Sequence, residues 1–351
     1  MALRTTTIGA FPKPEYVRLP DWFTIEDGPD SADPTEGWAA AMRAMGHEAR
    51  SLIERGIRES VRLQIEAGID IPTDGEIPRE NYIHYHCRHL TGFDFDHLES
   101  KVLRGGTYTA RLPVVRGAVR AREPFLVEDW RVAQQGVSNP VKITLPGPMT
   151  ISDTVVDAFY GELQQFGAEL ADALNVEIKA LAAAGCMHIQ IDEPLFARKP
   201  DAALEYGMEN VERAFHGVPD TVVRTMHMCC GYPDRLDNLD YPKAQQQAYF
   251  DLAACVDASS IQSVSLEDAH RYNDLSLLEK FEHTDVIFGA VAVALSRVET
   301  VEEIADRLTS ALAHIDARRL WAAPDCGLGL LGRELAVTKL RNLCDAARQV
   351  G

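Results

Sequence analysis

The chain has 351 residues, of which 46% are hydrophobic, and a formal net charge of −18. That is enough apolar material for a sizeable core without disulfides, and the negative charge, with no Lys/Arg stripe interleaved with aromatics, excludes a nucleic-acid partner. No window approaches the roughly 18 uncharged apolar residues of a membrane span, and the seven cysteines, odd in number and preceded by no signal peptide, predict reduced thiols in a cytoplasmic setting.

In chain order, short apolar runs, often β-branched, stop at polar or reactive residues and give way to amphipathic helical stretches. The runs are TTTIGAF (5–11), IDIPTDGE (69–76), VKITLPGP (141–148), HIQIDEP (188–194), VVRTMHMCC (222–230), SIQSVSLE (260–267), VIFGAVAVAL (286–295) and LWAAPDCG (320–327). Among the helices between them, 161–185 closes on Gly185, and 300–316 opens with Thr300 and Glu303 in capping-box spacing. Eight such alternations predict an α/β fold, a single (β/α)₈ TIM barrel over residues 1–351 with long insertions after strands one and two. The insertions are 18–38, which carries Trp22, Phe23 and Trp38, and about 93–140, with strand-like RLPVVRG and PFLVEDW and a turn at Gly105–Gly106. Long connections with aromatics read as binding loops. HYHCRH (84–89) falls in a predicted helix, where its histidines point different ways.

A barrel of this kind collects its chemistry at the C-terminal ends of the strands. There the chain places Glu76, Asp192, Glu193, His227, Cys229, Glu267 and Cys326. His227 and Cys229 lie two apart at the end of strand five and share a face, whereas Met228 and Cys230 point toward the outer helices. Strands six and eight end in Glu267 and Cys326. His227, Cys229, Glu267 and Cys326 form a coherent donor set for Zn²⁺, because thiolates favour zinc over magnesium or calcium. At the same mouth His227, Asp192 and Glu193 are the catalytic candidates, with a salt bridge as the plainer reading of the two acids. The neighbouring Asp268 is an alternative to Glu267 as the fourth ligand.

TTTIGAFPKP, DGEIPREN, LPGPMTI, IQIDEP, HMCC and APDCGLG together resemble, in order, the motifs of the cobalamin-independent methionine synthase family, in its catalytic barrel. The resemblance implies a cytoplasmic zinc-dependent methyltransferase that turns homocysteine into methionine, with the zinc on His227, Cys229, Glu267 and Cys326. It further implies that the amino-acid part of homocysteine is held by the backbone of Ile8, Gly9 and Ala10 and by Glu76 and Asp192. Carboxylates for an ammonium and free N–H groups for a carboxylate are what a zwitterion needs.

Three features depart from the family pattern. The long enzymes carry a further barrel, so the chain resembles the short form. The tryptophan that stacks on the folate after G-P-x-T-I is replaced here by Ser152, Asp153 and Thr154, and the histidine ending the seventh strand is missing from GAVAVALSR. The methyl donor is accordingly either methyltetrahydrofolate or methylcobalamin on a corrinoid protein. The alternative reading is the similar epoxyalkane:coenzyme M transferases, in which Arg79 would meet the sulfonate; a third is a non-catalytic zinc barrel. A homo-oligomer is left open.

Overall fold

The structure, a computed structural model, describes residues 2–24, 33–103, 108–231, 233, 235–238 and 241–351. Part of the 18–38 insertion and the Gly105–Gly106 turn therefore lie outside the described residues. The strands are β1 (Arg4–Thr5), β2 (Phe93–Leu103), β3 (Tyr108–Val115), β4 (Lys142–Pro146), β5 (Val156–Asp157), β6 (His188–Asp192), β7 (Val223–Met228), β8 (Ser263–Leu266), β9 (Asp285–Val291) and β10 (Leu320–Pro324). Seven of them form a curled parallel sheet in the order β1-β10-β9-β8-β7-β6-β4, with helices such as Ala49–Ala67, Leu163–Ala184 and Arg333–Val350 packed outside.

The eighth position differs from the expected strand. Residues 69–76 span the gap between β1 and β4 through isolated parallel bridges, Thr6 to Ile71 and Thr73 to Lys142. Pro72 has no N–H to give, and the Thr73 N–H donates instead to Gln64 Oε1, 3.0 Å away on the adjacent helix. Gly75 and Glu76 then take left-handed φ values of 76° and 54°. A Cβ on Gly75 would stand 2.2 Å from Ser60 Oγ, so glycine is required at that turn.

Two local expectations are met: Gly185 caps its helix with φ 104°, and Thr300 and Glu303 form a reciprocal capping box. One is corrected. PFLVEDW is not a strand but the start of the helix Leu126–Gln134, whose first N–H groups, on Phe125 and Leu126, donate to the Glu177 carboxylate at 3.1 and 2.9 Å. The strand-like reading of RLPVV holds, as part of β3, which pairs antiparallel with β2 and parallel with β5. Among the described residues no helix is long and apolar enough to cross a membrane.

The barrel interior is divided. Ile8, Ile71, Ile287, Trp321 and Ala323 form a small apolar cluster, while the β4, β6, β7 and β8 side fills with buried Lys142, Thr144, Gln190, Asp192, Thr225, His227, Ser263 and Ser265. Alternation explains both sets, since their neighbours Val286, Phe288 and Ala322 join the main core under the helices. Register then stacks the polar residues in layers: Thr144, Gln190, Thr225 and Ser263 below, and Asp192, His227 and Ser265 side by side above.

Lys142 lies at the bottom of this column, with no hydrogen-bond partner for Nζ among the described residues. Burial pushes its ammonium down to about 7, against the pull of Asp192. The unfolded chain keeps that proton to about pH 10.4, so the lysine's contribution to stability is complete above that pH and is lost as pH falls toward 7. Lys142→Met is therefore expected to stabilise the fold by about 4 kcal/mol at pH 7 and about half that at pH 9. Urea midpoints at the two pH values check this; an equal gain at both would show that the charge is not the cause.

Candidate active site

Strand ends and loops enclose a cavity of about 130 Å³ whose wall includes Ile8, Gly9, Ala10, Glu76, Asp192, His227, Cys229 and Cys326. Cys229 follows β7 on the face of His227, while Met228 and Cys230 are buried in the main core. Cys326 arrives from β10 after a register shift between Ala323 and Pro324. Its Sγ lies 3.4 Å from His227 Nε2. The ligating atoms of His227, Cys229 and Cys326 all fall within 4.8 Å of one another. His227 Nδ1 is engaged by Ser265 Oγ at 2.9 Å, which turns Nε2 toward the thiols.

The two thiols behave as a pair. The hydrogen bond with Cys326, helped by His227, holds Cys229 well below the ordinary cysteine range, and the same contact holds Cys326 well above it. The contact thus favours loss of a proton from one thiol of the pair, the form in which sulfur binds a cation. A group of one imidazole and two thiols in this state suits zinc.

Glu267 stands beside this trio without joining it. Its Oε2 accepts the Cys230 N–H at 2.5 Å, and its Oε1 lies 3.2 Å from His270 Nδ1. Its ligating oxygen groups instead with His270 and Asp325, although its charge acts on both His227 and Cys229. Asp268 is turned elsewhere, to Arg307 at 2.7 and 2.8 Å.

In the cavity wall Glu76 accepts from Thr144 Oγ1 at 2.6 Å and from Arg79 at 3.1 Å. Burial raises its carboxyl, and Arg79 pulls it back. Arg79 is also paired with Asp74 at 3.3 Å and is itself buried, so it is not free for a sulfonate. Gln190 Nε2 donates to Asp192 Oδ1 at 2.6 Å and to the Ile8 carbonyl at 2.7 Å. Burial, together with the charge of Glu76, raises Asp192 to about 7. The N–H groups of Gly9 and Ala10 make no hydrogen bond among the described residues.

Glu193 points the other way. Its carboxylate accepts the Met149 N–H, the Thr150 N–H and the Thr150 hydroxyl at 2.9, 3.0 and 2.7 Å, at the start of the helix Pro148–Asp153. Gly147 makes room for it, since a Cβ there would meet Glu193 Oε1 at 2.1 Å. Consecutive strand residues face opposite sides, so Glu193 anchors a helix where Asp192 faces the cavity. The HYHCRH histidines are also dispersed: His84 contacts Thr35 and Thr154, His86 the Tyr82 carbonyl, and His89 stacks on Phe125 at 3.9 Å.

Several cavity residues were not legible as site residues. Trp22, Phe23 and Tyr82 bring aromatic surface to the wall, with the Trp22 and Tyr82 rings 5.3 Å apart. Arg198 lines the cavity too and makes no hydrogen bond or ion pair among the described residues. A histidine does meet the end of β9, but it comes from the neighbouring loop: the Ala294 N–H donates to His270 Nε2 at 3.1 Å.

Residues 3–349 match the family described as cobalamin-independent synthase, catalytic domain. The methionine synthase of Saccharolobus solfataricus is 30% identical, over 99% of this chain and 95% of that protein. That of Thermococcus kodakarensis is 32% identical, over 97% and 91%. The structure of a B12-independent methionine synthase from Shewanella sp. W3-18-1 in complex with selenomethionine superposes with a TM-score of 0.88 at 31% identity, covering 100% of this chain and 98% of that one.

Proposed function

We propose that this chain, which belongs to the cobalamin-independent methionine synthase family by its catalytic domain, methylates the thiol of homocysteine and uses zinc to do so. The observation that carries this reading is the meeting of His227, Cys229 and Cys326 in the wall of a cavity that Glu76 and Asp192 also line. These three residues would hold the ion, with Glu267 beside them as a fourth, replaceable ligand. Bound there, zinc would lower the pKa of a substrate thiol so that it is present as thiolate near neutral pH.

The chain's own residues supply the rest. Glu76 and Asp192 face the cavity as the pair of carboxylates that an α-ammonium requires, and the free N–H groups of Gly9 and Ala10 suit an α-carboxylate. Gln190 fixes Asp192, and Arg79 with Thr144 fixes Glu76, so the acceptor is oriented by side chains that are already held. Ser265 keeps His227 in the tautomer that presents Nε2. The bound selenomethionine of the Shewanella protein, an amino acid with the shape of the product, supports the same acceptor.

Methyltetrahydrofolate is the donor this reading favours. Trp22 and Tyr82 offer ring surface to a flat heterocycle, and Arg198 offers a cation to its carboxylates. Mass spectrometry of zinc-loaded protein supplied with homocysteine and, in turn, mono- or triglutamyl methyltetrahydrofolate and methylcobalamin tests the proposal. Methionine with the folate is the expected product; methionine with methylcobalamin alone would move the donor to a corrinoid. No methionine with any donor, from protein that still holds zinc, would overturn the reading.

A further inference from the structure

The buried group formed by Glu267, His270 and Asp325 lies beside the metal-binding trio, and the reaction as read above gives His270 and Asp325 no task. It is built through several steps of the fold. Gly289 on β9 lacks a Cβ, and one placed there would stand 2.2 Å from Asp325 Oδ1. The space lets the Asp325 carboxylate reach under the loop that follows β8. There Oδ1 accepts the N–H groups of Asp268 and Ala269, both at 2.9 Å, and Oδ2 accepts that of His270 at 2.7 Å.

The imidazole is then aimed from both sides. The Ala294 N–H donates to Nε2, which leaves the ring's proton on Nδ1. Nδ1 lies 2.7 Å from Asp325 Oδ2 and 3.2 Å from Glu267 Oε1. With the Cys230 N–H on its other oxygen, each oxygen of the Glu267 carboxylate has a donor group beside it, in a position outside the His227, Cys229 and Cys326 group. A buried carboxylate persists in such a place only when donors replace its water.

We propose that His270, braced by Asp325, is a positioning residue that receives the Glu267 carboxylate when a substrate thiol takes its place at the metal. This rests on the zinc and thiol reading above and adds the second seat that a replaceable ligand needs. Without that seat, departure of the carboxylate would leave a buried charge with a lone backbone donor, at a cost that would set the thiol at a disadvantage.

Zinc content and zinc K-edge X-ray absorption, measured during homocysteine titration of the wild-type protein, His270→Ala and His270→Asn, test the proposal. Asparagine keeps an N–H close to the position of Nδ1. The wild type is expected to gain a sulfur in the zinc shell and lose an oxygen as homocysteine is added. His270→Ala should hold zinc as well as the wild type but need about tenfold or more homocysteine for the same change, the size of a lost hydrogen bond to a charged group; His270→Asn should recover most of the difference. If the alanine variant does not fold, Asp325→Asn, which loosens the brace and keeps the imidazole, should shift the titration in the same direction. An alanine variant that titrates like the wild type, or a second zinc ion that disappears with His270, would overturn the proposal. A wild-type protein that holds no zinc would instead overturn the reading on which it rests.

Discussion

Cys326→Ser is expected to lose zinc and methionine formation together. Changes to residues that merely orient a metal ligand cost about 10- to 100-fold in affinity or activity, so removing a ligand outright should exceed about a hundredfold. A serine hydroxyl remains protonated and is a poor replacement for thiolate at zinc. The loss would not come from unfolding, because Cys326 is only partly buried at the cavity wall and the register shift that delivers it lies in the backbone of β10. Metal analysis of the purified variant gives the answer. Unchanged zinc would remove Cys326 from the site.

Glu76→Gln should act differently, raising the acceptor KM by about 10- to 100-fold with zinc retained. The estimate is the loss of one hydrogen-bonded ion pair to a buried ammonium, roughly 1.5–3 kcal/mol. Glutamine has the shape of glutamate, and its Oε1 still accepts from Thr144 and Arg79, so the wall of the cavity should survive. Arg79 also keeps Asp74 as counter-ion. Steady-state kinetics at saturating donor measure the effect; a normal KM would place the amino-acid end of the acceptor elsewhere.

The residues most legible in the sequence were those fixed by strand periodicity. His227 and Cys229 share a face because they lie two apart, and alternation sends Met228 and Cys230 into the core. The same alternation separates Asp192, on the cavity face, from Glu193, whose role as a helix anchor depends on backbone N–H groups of a distant segment that no local spacing signals. Residues 69–76 read as a strand because their apolar pattern is that of one, while Pro72 and the left-handed Gly75 and Glu76 limit their pairing to single bridges. PFLVEDW was ambiguous for its length, and the distant Glu177 helps decide it for a helix.

His270 and Arg198 were not visible at all. His270 depends on a carboxylate from the loop after β10 passing a glycine of β9, a juxtaposition of three separate segments that no local spacing signals. The aromatic wall is a similar case. The sequence showed Trp22 and Phe23 on a long connection, and the fold brings them to the cavity that lacks a tryptophan after GPMTI. Function at barrel mouths is assembled from loops, so its parts are recognisable one by one while their meeting is not.

Calorimetric titration of homocysteine into zinc-loaded and zinc-free protein, in buffers of different ionisation enthalpy, tests most directly the claim that the thiol is activated at the metal site. Binding that needs zinc and releases about one proton near neutral pH is the predicted result. Equal affinity with and without zinc, or binding with no proton released, would contradict it.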